Sequence, residues 1–334
     1  QTPTSDRLDV LVDHVVIVDD HGRIERVEPA ESHTGGVDVS LAPDAYLLPG
    51  LIDLHVHAPQ WPQLGTGLDL PLEEWLFAHT FPLEARYEDL DFARRVWRAL
   101  VPGLLRRGTT TAVYYSSIHQ QATAALARVC VDIGQRAFVG RVAMDHPDGT
   151  PEWYRDASAA AAVDASHASI VEIEALDPSG LVRPIITPRF IPACTDGALE
   201  GLGELAAATG TLVQTHCSEN DWEHHYVLDR FGDTDTVMLE RFGLARPNSV
   251  LAHADHITES DQRLLAQIGA GLAHCPLSNA YFANAVFPAR RQLEAGMRIG
   301  LGTDVAGGAT SSMFEQCGHC LLYTSDAADD YFWV

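Results

Sequence analysis

The stretch "LLPGLIDLHVHAPQ", residues 47–60, decides the fold. After Pro49-Gly50, Leu51, Ile52, Leu54 and Val56 read as a buried strand. Residues i and i+2 of a strand point to the same face, so Asp53, His55 and His57 project together. Three polar groups on one face of a buried strand need partners. A metal ion supplies one if the rest of the chain provides further ligands.

Downstream of Gly50 the pattern is a regular alternation of strand and helix. Strands are expected at 51–57, 109–116, 136–144, 182–187, 211–216, 249–253, 270–274 and 298–303. Helices are expected in "DLDFARRVWRALVPGLL", "QQATAALARVCVDIG", "ALEGLGELAAATG" and "SDQRLLAQIG", several of them stopped by glycine. Ser260 and Asp261 sit where an N-cap belongs. The Ala-rich run 156–169 reads as helix without chemistry. Eight strands with helices between them predict an α/β fold of the (β/α)8 TIM-barrel type; a doubly wound open sheet is the alternative. What favours the barrel is that polar residues fall at the carboxyl ends of successive strands, where a barrel builds its active site. Upstream, "LDVLVDHVVIVDDHGRIERVE" (8–28) reads as a β-hairpin with "DDHG" as its turn. The expected organisation is a small N-terminal β-domain over 1–46, a barrel over 47–316, and a tail over 317–334 without structure of its own.

The strand ends supply the rest of the constellation. The first carries His55 and His57, the fifth ("TLVQTHCSEN") His216 with Glu219 three residues on, the sixth ("SVLAHADH") His253, and the eighth ("RIGLGTDVAGG") Asp304. Three nitrogens and one oxygen from such a set make a mononuclear catalytic zinc site with a position left for water. Singly, each residue has a plainer reading: an H-x-H can be structural, a lone histidine a satisfied core residue, a lone aspartate a helix cap. Their joint placement at four strand ends is what points to a metal.

Composition narrows the chemistry. The 334 residues carry 46 acidic and 22 basic side chains, a net charge of −24. That balance argues against nucleic acid or an anionic membrane as partner and fits a small neutral substrate. No run approaches the roughly 20 apolar residues of a membrane span, and nothing at the start reads as a secretory signal. All 22 basic residues are arginine. A chain without lysine makes no Schiff base, no Walker phosphate loop and no lysine-bridged pair of metals. Six cysteines lie scattered, the first four without metal or disulfide spacing, which suits a reducing cytoplasm. Cys317-Gly-His-Cys320 spells C-x-x-C, but it follows the last barrel strand rather than opening a helix in a thioredoxin-like unit.

"PGLIDLHVH", the histidines ending the fifth and sixth strands, and "GLGTD" resemble the amidohydrolase superfamily. "HVHAPQWPQLGTGLDLPLEEWLFAHTFPLEARY", "GTTTAVYYSSIHQ", "GQRAFVGRVAMD", "PRFIPAC", "THCSEN", "HCPLSN" and "GLGTDVAGG" resemble, more narrowly, its guanine deaminases, from about residue 40 to 315. The resemblance implies hydrolysis of guanine to xanthine and ammonia with one zinc ion per chain, Fe2+ being possible. It implies metal ligands His55, His57, His216 and Asp304. Asp304 also accepts the proton of the attacking water. Glu219 is the implied proton shuttle, and His253 would hydrogen-bond the attacking oxygen or the tetrahedral centre without binding metal. For the substrate, it implies Gln60 and Arg189 as donors to the ring carbonyl and Phe190 against the ring, beside His57 and His216. The plain readings are an arginine salt bridge and a core phenylalanine. Trp61, Leu64, Trp75 and Phe81 are candidates to line or lid the pocket. A cytoplasmic homodimer is implied as well.

Other readings remain: a related enzyme acting on another amino-heterocycle such as a triazine or pterin, or an inactive barrel that binds a ligand or partner. The chain starts at Gln1 without methionine, as a fragment would, and after about Gln316 the resemblance stops. "CLLYTSDAADDYFWV" reads as foreign sequence. The half of the small β-domain that would follow the barrel is therefore expected to be missing, with poor stability as the consequence.

Overall fold

The computed structural model describes residues 9–324. The chain divides into two compact units, Gln1–Gly50 and Leu51–Val334.

In the first unit, β1 (His14–Val18) and β2 (Ile24–Pro29) pair antiparallel, with Asp19 and Gly22 closing the turn between them. Gly22 takes a left-handed φ of 75°, as such a turn requires. Val10, Leu11, Val12, Val18, Ile24, Val39, Tyr46 and Leu47 are exposed.

The second unit is an α/β fold with parallel sheets. β3 (Leu51–His57), β4 (Thr109–Tyr115), β5 (Arg136–Gly140) and β7 (Val182–Pro184) form one four-stranded sheet in that order. β9 (Gln214–Cys217), β10 (Val250–His253), β11 (Gly271–His274) and β12 (Arg298–Leu301) form the other. The short β6 (Val142–Ala143) and β8 (Thr187–Pro188) make a separate parallel pair. Two isolated parallel bridges lie outside these ladders. Val56 pairs with Val305 just beyond β12, and Ile186 pairs with Val213 just before β9. Across the interior, Gln214 Nε2 donates to Tyr114 O of β4 and to Thr187 Oγ1 (2.9 Å each).

Helices lie where the sequence placed them. Leu90–Leu105 starts at Asp89, whose carboxylate accepts from Asp91 N and Phe92 N. Gln120–Ile133, Asp196–Thr209 and Glu259–Ile268 end on left-handed glycines 134, 210 and 269. The last of these corrects one expectation. Its N-cap is Thr258, and Asp261 is the third helical residue, returning its carboxylate to the Thr258 N–H in a capping box. An Asp three residues after a Thr serves the helix better from there than from the cap itself. The Ala-rich run is helix, as Ala159–Leu176. The region expected to lack structure from residue 317 is helical through Thr324, within Met313–Thr324; residues 325–334 lie outside the described part. Cys317 and Cys320 sit inside that helix rather than at its start, so a thioredoxin-type arrangement is not met.

The helices bury their apolar faces on the sheets. Trp97, Leu100 and Leu104 pack with Leu126, Ala127 and Val139 on one side, and Leu199, Leu202, Leu239 and Leu251 on the other. At ~25 cal/mol per Å2 of apolar surface, this burial holds the strand ends in fixed positions.

Candidate active site

Polar side chains gather where the strands end. From β3 come Asp53, His55 and His57, all buried. Asp53 accepts from Thr303 N (2.9 Å) and Thr303 Oγ1 (2.6 Å), tying β3 to the chain beyond β12; burial pushes its carboxyl up to about 7. His216 is the penultimate residue of β9, His253 ends β10 and Asp304 follows β12. His57 Nε2 lies 3.0 Å from His216 Nε2. Asp304 Oδ1 lies 3.2 Å from His55 Nε2 and 3.5 Å from His57 Nε2. The Tyr115 ring, at the end of β4, sits 4.7–5.0 Å from the rings of His55, His57 and His216.

The backbone bends hard to bring them there. Ser218, His253, Ala254 and Asp304 adopt φ of 49°, 70°, 59° and 47°. Left-handed conformations in non-glycine residues cost of order 1–3 kcal/mol each and collect at functional sites. The glycines of "GLGTDVAGG" allow the close approach. A Cβ on Gly302 would lie 2.7 Å from His55 Cβ, and one on Gly307 2.5 Å from Asp304 Oδ2.

Hydrogen bonds set the tautomers. His216 Nδ1 donates to Arg189 O (2.6 Å), which leaves its Nε2 bare and facing the cluster. Asn279 Nδ2 donates to Asp255 Oδ1 (2.8 Å), so Asn279 Oδ1 faces His253 and accepts from its Nδ1 (2.9 Å). His253 Nε2 is thus bare too, 3.6 Å from Glu219 Oε1. Both nitrogens of His55 and His253 Nε2 are buried without a hydrogen-bond partner. Burial holds the pKa of His55, His57 and His216 well below the usual imidazole value, keeping them neutral. Buried polar atoms without partners are rare, and a cluster of bare imidazole nitrogens around a carboxylate is a donor set for a divalent cation. Ligand atoms of His55, His57 and His216, of His55, His253 and Asp304, and of His216, Glu219 and His253 each lie within 4.8 Å of one another. The site fits a metal.

A pocket opens over this cluster, enclosing about 350 Å3 of empty space that is partly open to solvent. His57, His216, Glu219 and Asp304 form its floor. Gln60, Arg189 and Phe190 line it, with apolar cover from Leu72, Trp75, Leu76 and Phe282. Glu219 is buried rather than on the surface. Burial first, then the nearby Asp304 charge, raises its pKa well above the ordinary carboxylate value. Its backbone N–H donates to Glu223 Oε2 (2.7 Å), and the following helix, Asp221–Phe231, is capped by Asn220.

Of the pocket residues anticipated from sequence, Trp75 lines the cavity. Trp61 and Leu64 instead pack against the core beneath, and Phe81 lies behind Arg189, with the guanidinium 4.9 Å over its ring. Tryptophan and leucine in a loop carry no mark that separates lining from core. Glu84 is the polar residue that sequence reading missed. It is fully buried in "TFPLEARY" and binds both Arg189 and Gln60. Asn279 and Asp255 were missed as well, although "HCPLSN" and "HADH" contain them.

Comparison with known proteins follows the same lines. The profile of the Amidohydrolase family matches residues 46–331. A Schizosaccharomyces pombe protein described as a probable guanine deaminase is 40% identical over 285 residues, 84% of this chain and 54% of its own length. A Dictyostelium discoideum guanine deaminase is 37% identical over 81% of this chain and 60% of its own length. The chain thus spans between half and two thirds of these relatives. Among solved structures, the guanine deaminase of C. acetobutylicum with guanine bound superposes with a TM-score of 0.89 at 29% identity, covering 98% of this chain and 78% of that one. The sequence match, the parallel α/β fold and the histidine–aspartate cluster agree, and the chain belongs to the amidohydrolase family.

Proposed function

We propose that this chain hydrolyses guanine to xanthine and ammonia, using one zinc ion held at the mouth of a closed (β/α)8 barrel. Closure is supported by the bridges Val56–Val305 and Ile186–Val213 and by Gln214 reaching across to β4. The observation that carries the functional reading is a cavity floored by His57, His216, Glu219 and Asp304, with the unpartnered ring nitrogens of His55 and His253 clustered against them and two amide- or guanidinium-type donors on the wall.

His55, His57, His216 and Asp304 would hold the cation. An N3O set suits zinc with one position left open, and Fe2+ accepts the same ligands. When bound, such a cation supplies the Lewis acidity that makes water a nucleophile near neutral pH.

This chain's residues do the rest. Asp304 has a second oxygen beside the cluster and accepts a proton from the attacking water. Glu219, whose carboxyl pKa burial raises well above the ordinary value, delivers a proton to a ring nitrogen as the oxygen adds at C2; the amine then leaves as ammonia with the proton taken up by Asp304, and the added oxygen returns its remaining proton to Glu219 as the C2 carbonyl forms. His253 is fixed by Asn279 with Nε2 toward the same space and steadies the attacking oxygen. Arg189 and Gln60 donate to the ring carbonyl, while Phe190 packs on the ring face. Leu72, Trp75, Leu76 and Phe282 exclude water from the remaining wall.

Ammonia release by the zinc-loaded protein tests this, with guanine set against adenine and cytosine. Turnover of guanine alone is expected; turnover of adenine without guanine removes the substrate assignment.

A further inference from the structure

One buried carboxylate holds both of the donors on the pocket wall. Glu84 Oε1 accepts from Gln60 Nε2 (3.0 Å) and Arg189 Nη2 (3.1 Å). Its Oε2 accepts from Arg189 Nη1 (2.7 Å) and the Tyr154 hydroxyl (3.1 Å). A carboxylate has about four acceptor positions, and all four are filled. Gln60 is held from its other side as well, because its Oε1 accepts from Ala306 N (3.1 Å). The side chains of Glu84 and Arg189 are 1% and 2% exposed, so water does not compete for these bonds.

Two consequences follow. First, Glu84 uses one of the two Gln60 N–H groups and two of the five on Arg189, which leaves the remaining donors aimed by a shared anchor. Moving that anchor moves both. Second, a buried arginine without a counter-charge would select an anion. Paired with Glu84 it carries no net charge into the pocket, and the group it suits is an uncharged oxygen.

We infer that Glu84 is a positioning residue for specificity: it aims Gln60 and Arg189 together and tunes the pocket to a neutral ring carbonyl rather than to an anionic substituent. This inference rests on the proposed substrate class and extends it to a residue that itself never touches the substrate.

The test compares binding of hypoxanthine, which has the ring carbonyl, with purine, which lacks it. Calorimetry is done on the zinc-loaded full chain and on the Glu84→Gln and Glu84→Asp variants. Glu84→Asp keeps the charge but is one methylene short of spanning both partners, so it remains informative if the neutral variant does not fold. The unaltered protein should prefer hypoxanthine by roughly 10–100-fold, the worth of bonds from a charged donor. In the variants the preference should shrink to within about threefold, with zinc content unchanged. A carbonyl preference that persists in Glu84→Asp overturns the role of Glu84 and leaves the substrate reading standing. No preference in the unaltered protein overturns the substrate reading, and this inference with it.

Discussion

The floor and the wall of the pocket are built on opposite terms. On the wall, the Gln60–Glu84–Arg189–Tyr154 network closes on itself, with every Glu84 acceptor position occupied. In the cluster that carries the floor, His55, behind the lining residues, has no hydrogen-bond partner at either ring nitrogen, and His253 has none at Nε2. Both regions are buried, and an unmet polar group there costs about 1–3 kcal/mol. A satisfied network orients donors for a guest. An unsatisfied one waits for the group that completes it. The pocket thus joins a site that needs a ligand to fold comfortably with a site that is complete without one.

That contrast predicts different failures. The largest effect belongs to the floor: Glu219→Gln should keep its metal and lose ~10²–10⁴-fold in the rate of guanine turnover, the range of general acid–base contributions. Steady-state kinetics on protein of verified metal content would show it, and normal turnover would remove the shuttle. His216→Ala should fail to hold the cation, with metal analysis falling toward zero. Stripping the unaltered protein with a chelator should lower its melting temperature, because a ligand that binds only the folded state stabilises it. The same treatment should leave the melting temperature of His216→Ala unchanged.

Acid should also weaken the fold through His274, a buried imidazole outside the proposed ligand set. Burial holds the His274 pKa at about 3, against an ordinary 6.5, with His253 adding to the shift. The unfolded chain therefore takes up this proton at a higher pH than the folded one. Stability is whole above pH 6.5 and falls between 6.5 and about 3, by about 1.4 kcal/mol per pH unit through this group. Denaturation of His274→Asn across that window should show a shallower slope by about one proton. An unchanged slope would mean that His274 is not held neutral. The smallest effect is expected far from either region: Cys317→Ser, at an exposed helix position, should shift stability by no more than ~0.5 kcal/mol.

Much of the floor was legible in sequence because strand periodicity is simple. An H-x-H in a buried strand puts both imidazoles on one face, and β3 spans Leu51–His57 as that reading requires. Strand ends at 216 and 253 and the carboxylate at 304 followed from the alternation of elements. The wall was harder. Gln60 and Arg189 came from resemblance, and Glu84 was not singled out, although it lies in a quoted motif. Its importance is a tertiary fact: it meets Arg189 across 105 residues of chain, and no local pattern announces the pairing. The Asn279–Asp255 pair that sets the His253 tautomer escaped notice for the same reason. Left-handed turns at His253 and Asp304 were equally invisible, because propensity argues against them and only the packed site holds them. The tail failed differently: the family profile runs through residue 331, past the point where the quoted motifs stop, and the chain is helical through Thr324.

The central claim is that the unsatisfied floor is a one-metal site. Anomalous diffraction at the zinc edge from crystals of the zinc-loaded chain tests it most directly. The account predicts a single peak per chain, lying between the His55, His57 and His216 nitrogens and the Asp304 carboxylate. No peak at that point, or a second peak beside it, would contradict the claim.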